Sequence, residues 1–197
     1  MNSWRHDLLT KLEPILRDRE AARLLCVKSG YHDLPYGILV YPPEREFELR
    51  RELALLRTRL ELHYNKRVTT ISLAECMTTA LAAEGLGPAE LVEAELASSL
   101  PLAIETVFEI LSSYRPLDEL VAERVPSDAD PERDVVLLVR AGALYPLYRT
   151  YALLEQLKGR VSVPTVLMYP GDRVGPKGLS FMGVADPEHN YRPWIVE

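Results

Sequence analysis

Two apolar, β-branched runs joined by a helix-like segment constrain this chain more than any other stretch. Val135 to Val139 is unbroken and apolar, as a strand covered on both faces must be. Leu147, Tyr151, Leu154 and Leu157 then recur at helical spacing, and Pro146 stands where the first turn of a helix needs no amide hydrogen. Gly159 ends the helix, Val163 to Tyr169 repeats the buried-strand pattern, and Pro170-Gly171 is expected to stop it. Buried strands linked by one helix pair in parallel through a right-handed crossover. The chain is therefore predicted to be α/β: a mainly parallel, doubly wound sheet with helices on both faces. That is a degenerate P-loop or Rossmann-like three-layer architecture, with an antiparallel edge from the C-terminal strands.

Ligands of such sheets gather at the carboxyl ends of strands. Here those ends are Arg140-Ala141-Gly142 and Tyr169-Pro170-Gly171-Asp172-Arg173. Neither holds a carboxylate pair, a Cys/His cluster or a phosphate-binding lysine. The place for a phosphate loop, after the first strand, reads Tyr41-Pro42-Pro43-Glu44, and the prolines remove the amide donors that a phosphate cradle requires. Gly175-Pro176-Lys177-Gly178 has a suitable composition but precedes a strand rather than a helix.

The rest of the chain supplies covers and edges. Residues 1–27 read as a helical lead-in broken at Pro14, and Leu34 to Tyr41 as the first strand. Glu44 to His63 reads as a helix burying Phe47, Leu49, Leu53, Leu56 and Leu60. Its Arg50, Arg51, Arg57 and Arg59 stand among glutamates, the pattern of a solvated face with weak i,i+4 pairs; the alternative is a face that docks an acidic partner or DNA. Val68 to Leu73 alternates as a second strand. Residues 74–124 form a helical insertion that either covers one sheet face or offers a partner surface. Val125 to Arg133 is polar and closed by prolines, and Leu179 to Val184 and Arg192 to Val196 read as the last strands. One domain is expected over the 197 residues.

A net charge of -6 argues against a duplex-DNA binder working by phosphate neutralisation. Cys26 and Cys76 are solitary and read as reduced thiols, and His6, His32, His63 and His189 lie far apart, so neither a metal site nor a cofactor is expected. No apolar run approaches the ~18 residues that span a bilayer, and the first residues lack a signal-peptide core, so a cytoplasmic protein is expected.

Tyrosines and arginines crowd the strand ends as they do in protein-interface hot spots, against the alternative of a core in which each hydroxyl finds one partner. The candidate partner-binding residues are Tyr41, Arg140, Tyr145, Arg149, Tyr169, Arg173, Tyr191 and Arg192, shaped by turns at Pro42, Gly142, Pro146, Pro170 and Gly171. Tyr41-Pro42 and Tyr169-Pro170 each close a buried strand, which predicts two rings side by side in one rim.

From Leu34 to the end, the order and spacing of these motifs resemble the BrxB family of BREX anti-phage defence systems. They run from Tyr41-Pro42-Pro43-Glu44 through Arg140 to Pro146, Val163 to Gly171 and Leu179 to Gly183, and close on Asn190-Tyr191-Arg192. The resemblance implies an accessory subunit encoded beside a DNA adenine methyltransferase, a large ATPase and PglZ, with no established catalytic activity and with a PglZ-type protein as its partner. It implies a scaffold supporting phage restriction and host-DNA methylation. The competing reading is a degenerate nucleotide-binding or NTPase-like enzyme using the same strand ends.

Overall fold

Alternation along the buried strands sets the architecture of the computed structural model, which describes residues 3–97, 99–175, 178–189 and 191–196. Pro176 and Lys177 of the glycine-bearing loop, and Asn190 of the last motif, lie outside the described residues. The strands are β1 (Tyr36–Tyr41), β2 (Arg67–Ser72), β3 (Asp134–Val139), β4 (Thr165–Val174), β5 (Gly178–Phe181) and β6 (Trp194–Ile195). Among the described residues they run in the order β2-β3-β4-β1-β6, all parallel, with β5 antiparallel to β4.

Successive side chains of a strand point to opposite faces. On one face Tyr36, Ile38, Ile71, Val136, Leu138, Leu167 and Tyr169 form a buried layer, and on the other Leu39, Tyr41, Val68, Val135, Leu137, Val166 and Met168 form a second. The second layer is covered by α1 (Ser3–Asp7), α2 (Glu13–Leu16), α3 (Ala21–Ser29) and α4 (Glu46–Tyr64), through Trp4, Leu16, Leu25, Leu49, Leu53, Leu56 and Leu60. The first is covered by the insertion and by α9. The insertion comprises α5 (Leu73–Ala83), α6 (Pro88–Ala97), α7 (Leu100–Glu109) and α8 (Leu117–Ala122), and α9 is Thr150–Gln156. This is the doubly wound α/β fold that the central strand pattern predicts. No helix among the described residues is long and apolar enough to cross a membrane.

Several local expectations are corrected. Pro14 does not break the lead-in: a π-helical turn over Leu8–Leu12 joins α1 to α2, with the Glu13 amide bonded to the Leu8 carbonyl. The wider turn accommodates a residue that lacks an amide and would otherwise crowd the carbonyl four residues back. Phe47 is 75% exposed under the Arg50 guanidinium instead of buried. Pro146 follows a cis peptide bond and lies outside the helix, which begins only at Thr150; a 3-10 turn over Ala141–Leu144 takes up the intervening chain. Pro170-Gly171 does not end β4, which runs on to Val174 to pair with β5. The last strand is parallel to β1, so the antiparallel edge comes from β5 alone.

The amino ends of the strands are tied by charge. Buried Asp134 accepts bonds from the Arg67 guanidinium (Nη2, 3.0 Å) and the Asp130 amide (2.8 Å). Burial works against its charged form, but these donors outweigh it and hold the carboxyl below its ordinary range. Lys66, also buried, donates to the carbonyls of Asp18 and Glu132 and so pins two loops together.

Candidate functional site

The site lies at the opposite end, where the chain leaves β1 toward one face and leaves β3 and β4 toward the other. A crevice opens at such a reversal. Each wall is a turn that the sequence dictates. After β1, Pro42 is extended and Pro43–Arg45 forms a 3-10 turn into α4. After β3, Arg140 takes a left-handed backbone (φ 60°), which strains a residue with a Cβ. On β4, Gly171 has φ 154° and no room for a side chain: a Cβ would stand 2.1 Å from the Ser180 carbonyl oxygen. Gly142 is less confined, with the Met182 sulfur 3.2 Å from where its Cβ would be.

The tyrosine pair expected side by side is split. Val40 aligns with Tyr169 and Tyr41 with Pro170, so the two rings are one residue out of register and point to opposite faces. Tyr41 is buried and its hydroxyl donates to the Glu46 carboxylate. Burial, and then that carboxylate, push its pKa well above the ordinary phenol value.

Tyr169 instead anchors an aromatic stack on the other face. Its ring lies 5.2 Å from Phe181 and 5.7 Å, edge to face, from Tyr191, which meets Tyr151 at 6.0 Å. The Tyr191 hydroxyl is 2.9 Å from Thr150 Oγ1 and donates to Glu188 Oε2 at 3.2 Å. Burial pushes Tyr191 up to about 12. The Tyr169 hydroxyl is buried without a hydrogen-bond partner among the described residues, and burial followed by the neighbouring Tyr191 raises its pKa strongly.

Several hollows open around this framework among the described residues, one of them, about 420 Å³, between Arg140 and Arg57. The first, about 530 Å³, collects Tyr145, Pro146, Arg149, Phe181, Glu188, His189 and Tyr191. Tyr145 is 39% exposed and packs edge-on against Phe181 at 6.0 Å, while Arg149 pairs with Glu188 at 3.3 Å. The second, also about 530 Å³, contains Tyr41, Pro42, Gly171 and Arg173 against the first helix. The third, about 180 Å³, joins Tyr41, Arg50, Arg140, Gly142 and Pro170. Arg140 is exposed and makes no side-chain hydrogen bond or ion pair among the described residues. Arg192 stands apart from the set: it lies over the Tyr31 ring at 5.6 Å and pairs with Glu155 at 3.4 Å, toward the amino ends of the strands.

Phe181, Glu188 and Thr150 escaped the sequence reading. Glu188 sits in a loop without periodicity, and Thr150 is reached only because the helix starts later than Pro146 implies. The arginines of α4 are largely engaged: Arg50 with Glu46 and Arg57 with Glu61, both at 2.8 Å, and Arg59 with buried Glu13 at 2.8 Å. Among the described residues no three His, Cys, Asp or Glu side chains converge as a metal centre needs. The strand-end rim therefore offers buried tyrosines beneath, the hydroxyls of Tyr41 and Tyr191 bonded and that of Tyr169 not, and arginines above, a surface suited to polar recognition.

No curated protein and no solved structure matches the chain. A family model described as BREX protein BrxB matches residues 69–195, from β2 through the insertion and the rim to β6. The chain therefore belongs to the BrxB family and is a component of a BREX antiviral defence system.

Proposed function

We propose that this BREX component is a non-catalytic scaffold whose strand-end rim grips a PglZ-type partner in support of phage restriction and host-DNA methylation. The observation that carries the reading is Arg140: an exposed guanidinium without a carboxylate partner among the described residues, held over the β3 end by a strained backbone. Strain kept at one surface residue points to use rather than to stability. Arg173 and Tyr145 widen the same rim, and Arg149 adds a charge that Glu188 only partly answers. Tyr41, Tyr169 and Tyr191, all buried, shape this surface from below.

The competing nucleotide-binding reading draws on the hollow between Arg140 and Pro170, but the turns beside it contain Pro42, Pro43 and Pro170, none of which can donate an amide to a phosphate. Two measurements decide. Arg140→Ala and Tyr145→Ala should each weaken co-purification with PglZ while leaving the melting temperature within a few degrees of wild type. Titration of ATP or GTP with magnesium should release no heat. Micromolar nucleotide binding, or undiminished co-purification by both variants, overturns the scaffold reading.

A further inference from the structure

Between Arg67 and Arg115 the chain has no lysine or arginine, and residues 84–114 hold six glutamates, Glu84, Glu90, Glu93, Glu95, Glu105 and Glu109. The whole chain carries a net charge of -6, so this one segment accounts for it and the remainder is balanced. Five of the six glutamates, all but Glu84 at the end of α5, lie on the α6–α7 arm. α7 plants Val107 in the core, followed by Ile110 and Leu111. Among its described side chains α6 buries none completely: Leu91 rests against the core, while Val92 is 54% and Leu96 82% exposed. Leu100, Leu102 and Phe108 of α7 are also exposed. A ten-residue helix is short of the roughly 12–15 residues at which isolated helices become even marginal in water, so an apolar stripe facing solvent is wasted stabilisation unless something covers it.

Helical geometry arranges the stripe. Val92 and Leu96 are one turn apart on one side of α6, and Glu93 and Glu95 fall on opposite flanks of that line. On α7, Leu102, Glu105 and Glu109 share one face, a single exposed leucine beside two carboxylates. The pattern is an apolar strip fenced by carboxylates. A second copy of this chain would bring a like-charged fence against it, and an anionic membrane or nucleic acid would be repelled. We propose that the α6–α7 arm is the docking surface for a basic amphipathic helix of a partner protein, with leucine-like side chains in the strip and lysines or arginines against the fence. This surface is distinct from the strand-end rim and requires nothing of it.

The test uses the full chain and a fluorescent synthetic helix with leucines at i, i+3, i+4 and i+7 and lysines elsewhere, beside a counterpart in which glutamates replace the lysines. Fluorescence anisotropy should show binding of the lysine helix, weakened by added salt, and none of the glutamate helix. Glu93→Lys with Glu95→Lys, Leu96→Ser alone, and Leu102→Ser with Glu105→Lys should each weaken binding about tenfold, roughly 1.4 kcal/mol, with an unchanged urea midpoint. Glu132→Lys, a charge reversal on a separate loop, should leave binding intact. The proposal is overturned if the lysine helix fails to bind, if the arm variants bind as wild type does, or if Glu132→Lys weakens binding as much as they do. Dimerisation through the arm on size exclusion, or binding of anionic phosphatidylserine vesicles that Leu96→Ser abolishes, would also overturn it.

Discussion

The strand-end rim and the α6–α7 arm treat apolar surface in opposite ways. At the rim, Tyr169, Phe181, Tyr191 and Tyr151 stack within 5.2 to 6.0 Å, and the Tyr191 hydroxyl is bonded to Thr150 and Glu188. On the arm, Val92, Leu96 and Leu102 are at least half exposed, and among its described side chains α6 has none fully buried. The rim covers its own apolar area, with the buried Tyr169 hydroxyl left unbonded among the described residues, so in the proposed reading contact with a partner falls to the arginines standing above it. The arm leaves its own apolar area uncovered, the area that the proposed partner helix would cover. A self-sufficient surface can be polar and reversible in its contacts, whereas an incomplete one carries part of its folding energy in its partner.

Stability measurements can break that contrast. Gly171→Ala should have the largest effect, a loss of roughly 3 kcal/mol or more, because the new methyl group meets backbone at a strand junction. A midpoint near wild type would mean that the junction between β4 and β5 is loose. Tyr191→Phe should cost about 1 kcal/mol in urea unfolding, since Thr150 and Glu188 lose a buried partner; no change would mean that the ring alone builds the rim. Arg140→Gly should raise stability by up to about 1 kcal/mol, by relieving its left-handed backbone, while reducing PglZ co-purification. A fall in stability would make Arg140 a structural residue. Leu96→Ser should change the midpoint by about 0.5 kcal/mol or less, and a larger loss would show that the arm is already packed.

The sheet was legible because its signal is local. Val135 to Val139 and Thr165 to Tyr169 cannot be exposed, and the helical period between them permits only a crossover. The rim was legible in composition but not in arrangement. Whether Tyr41 and Tyr169 share a face depends on a one-residue offset between two strands far apart in sequence, which no local pattern encodes. Arg192 looked like a rim residue because it follows Tyr191, yet successive residues in an extended segment diverge, and it turns toward Tyr31 and Glu155. The continuation of β4 beyond Pro170 was hidden because proline ordinarily closes a strand; here the register partner of Pro170 is Tyr41 and the strand passes on to a new neighbour. The arm's exposure escaped for a different reason, since leucines at helical spacing look alike whether a core or a visitor covers them.

One strand belongs to two ladders. β4 pairs with β1 and β3 in its first half and with β5 in its second, without a break between them. It is a continuous beam whose outer end lies beside the rim and whose inner end is central in the sheet. We expect that any weight placed on the hairpin will travel along it. Amide-hydrogen exchange at Leu167 and Met168 should then slow when a partner docks outside, and unchanged exchange there would show the beam to be hinged.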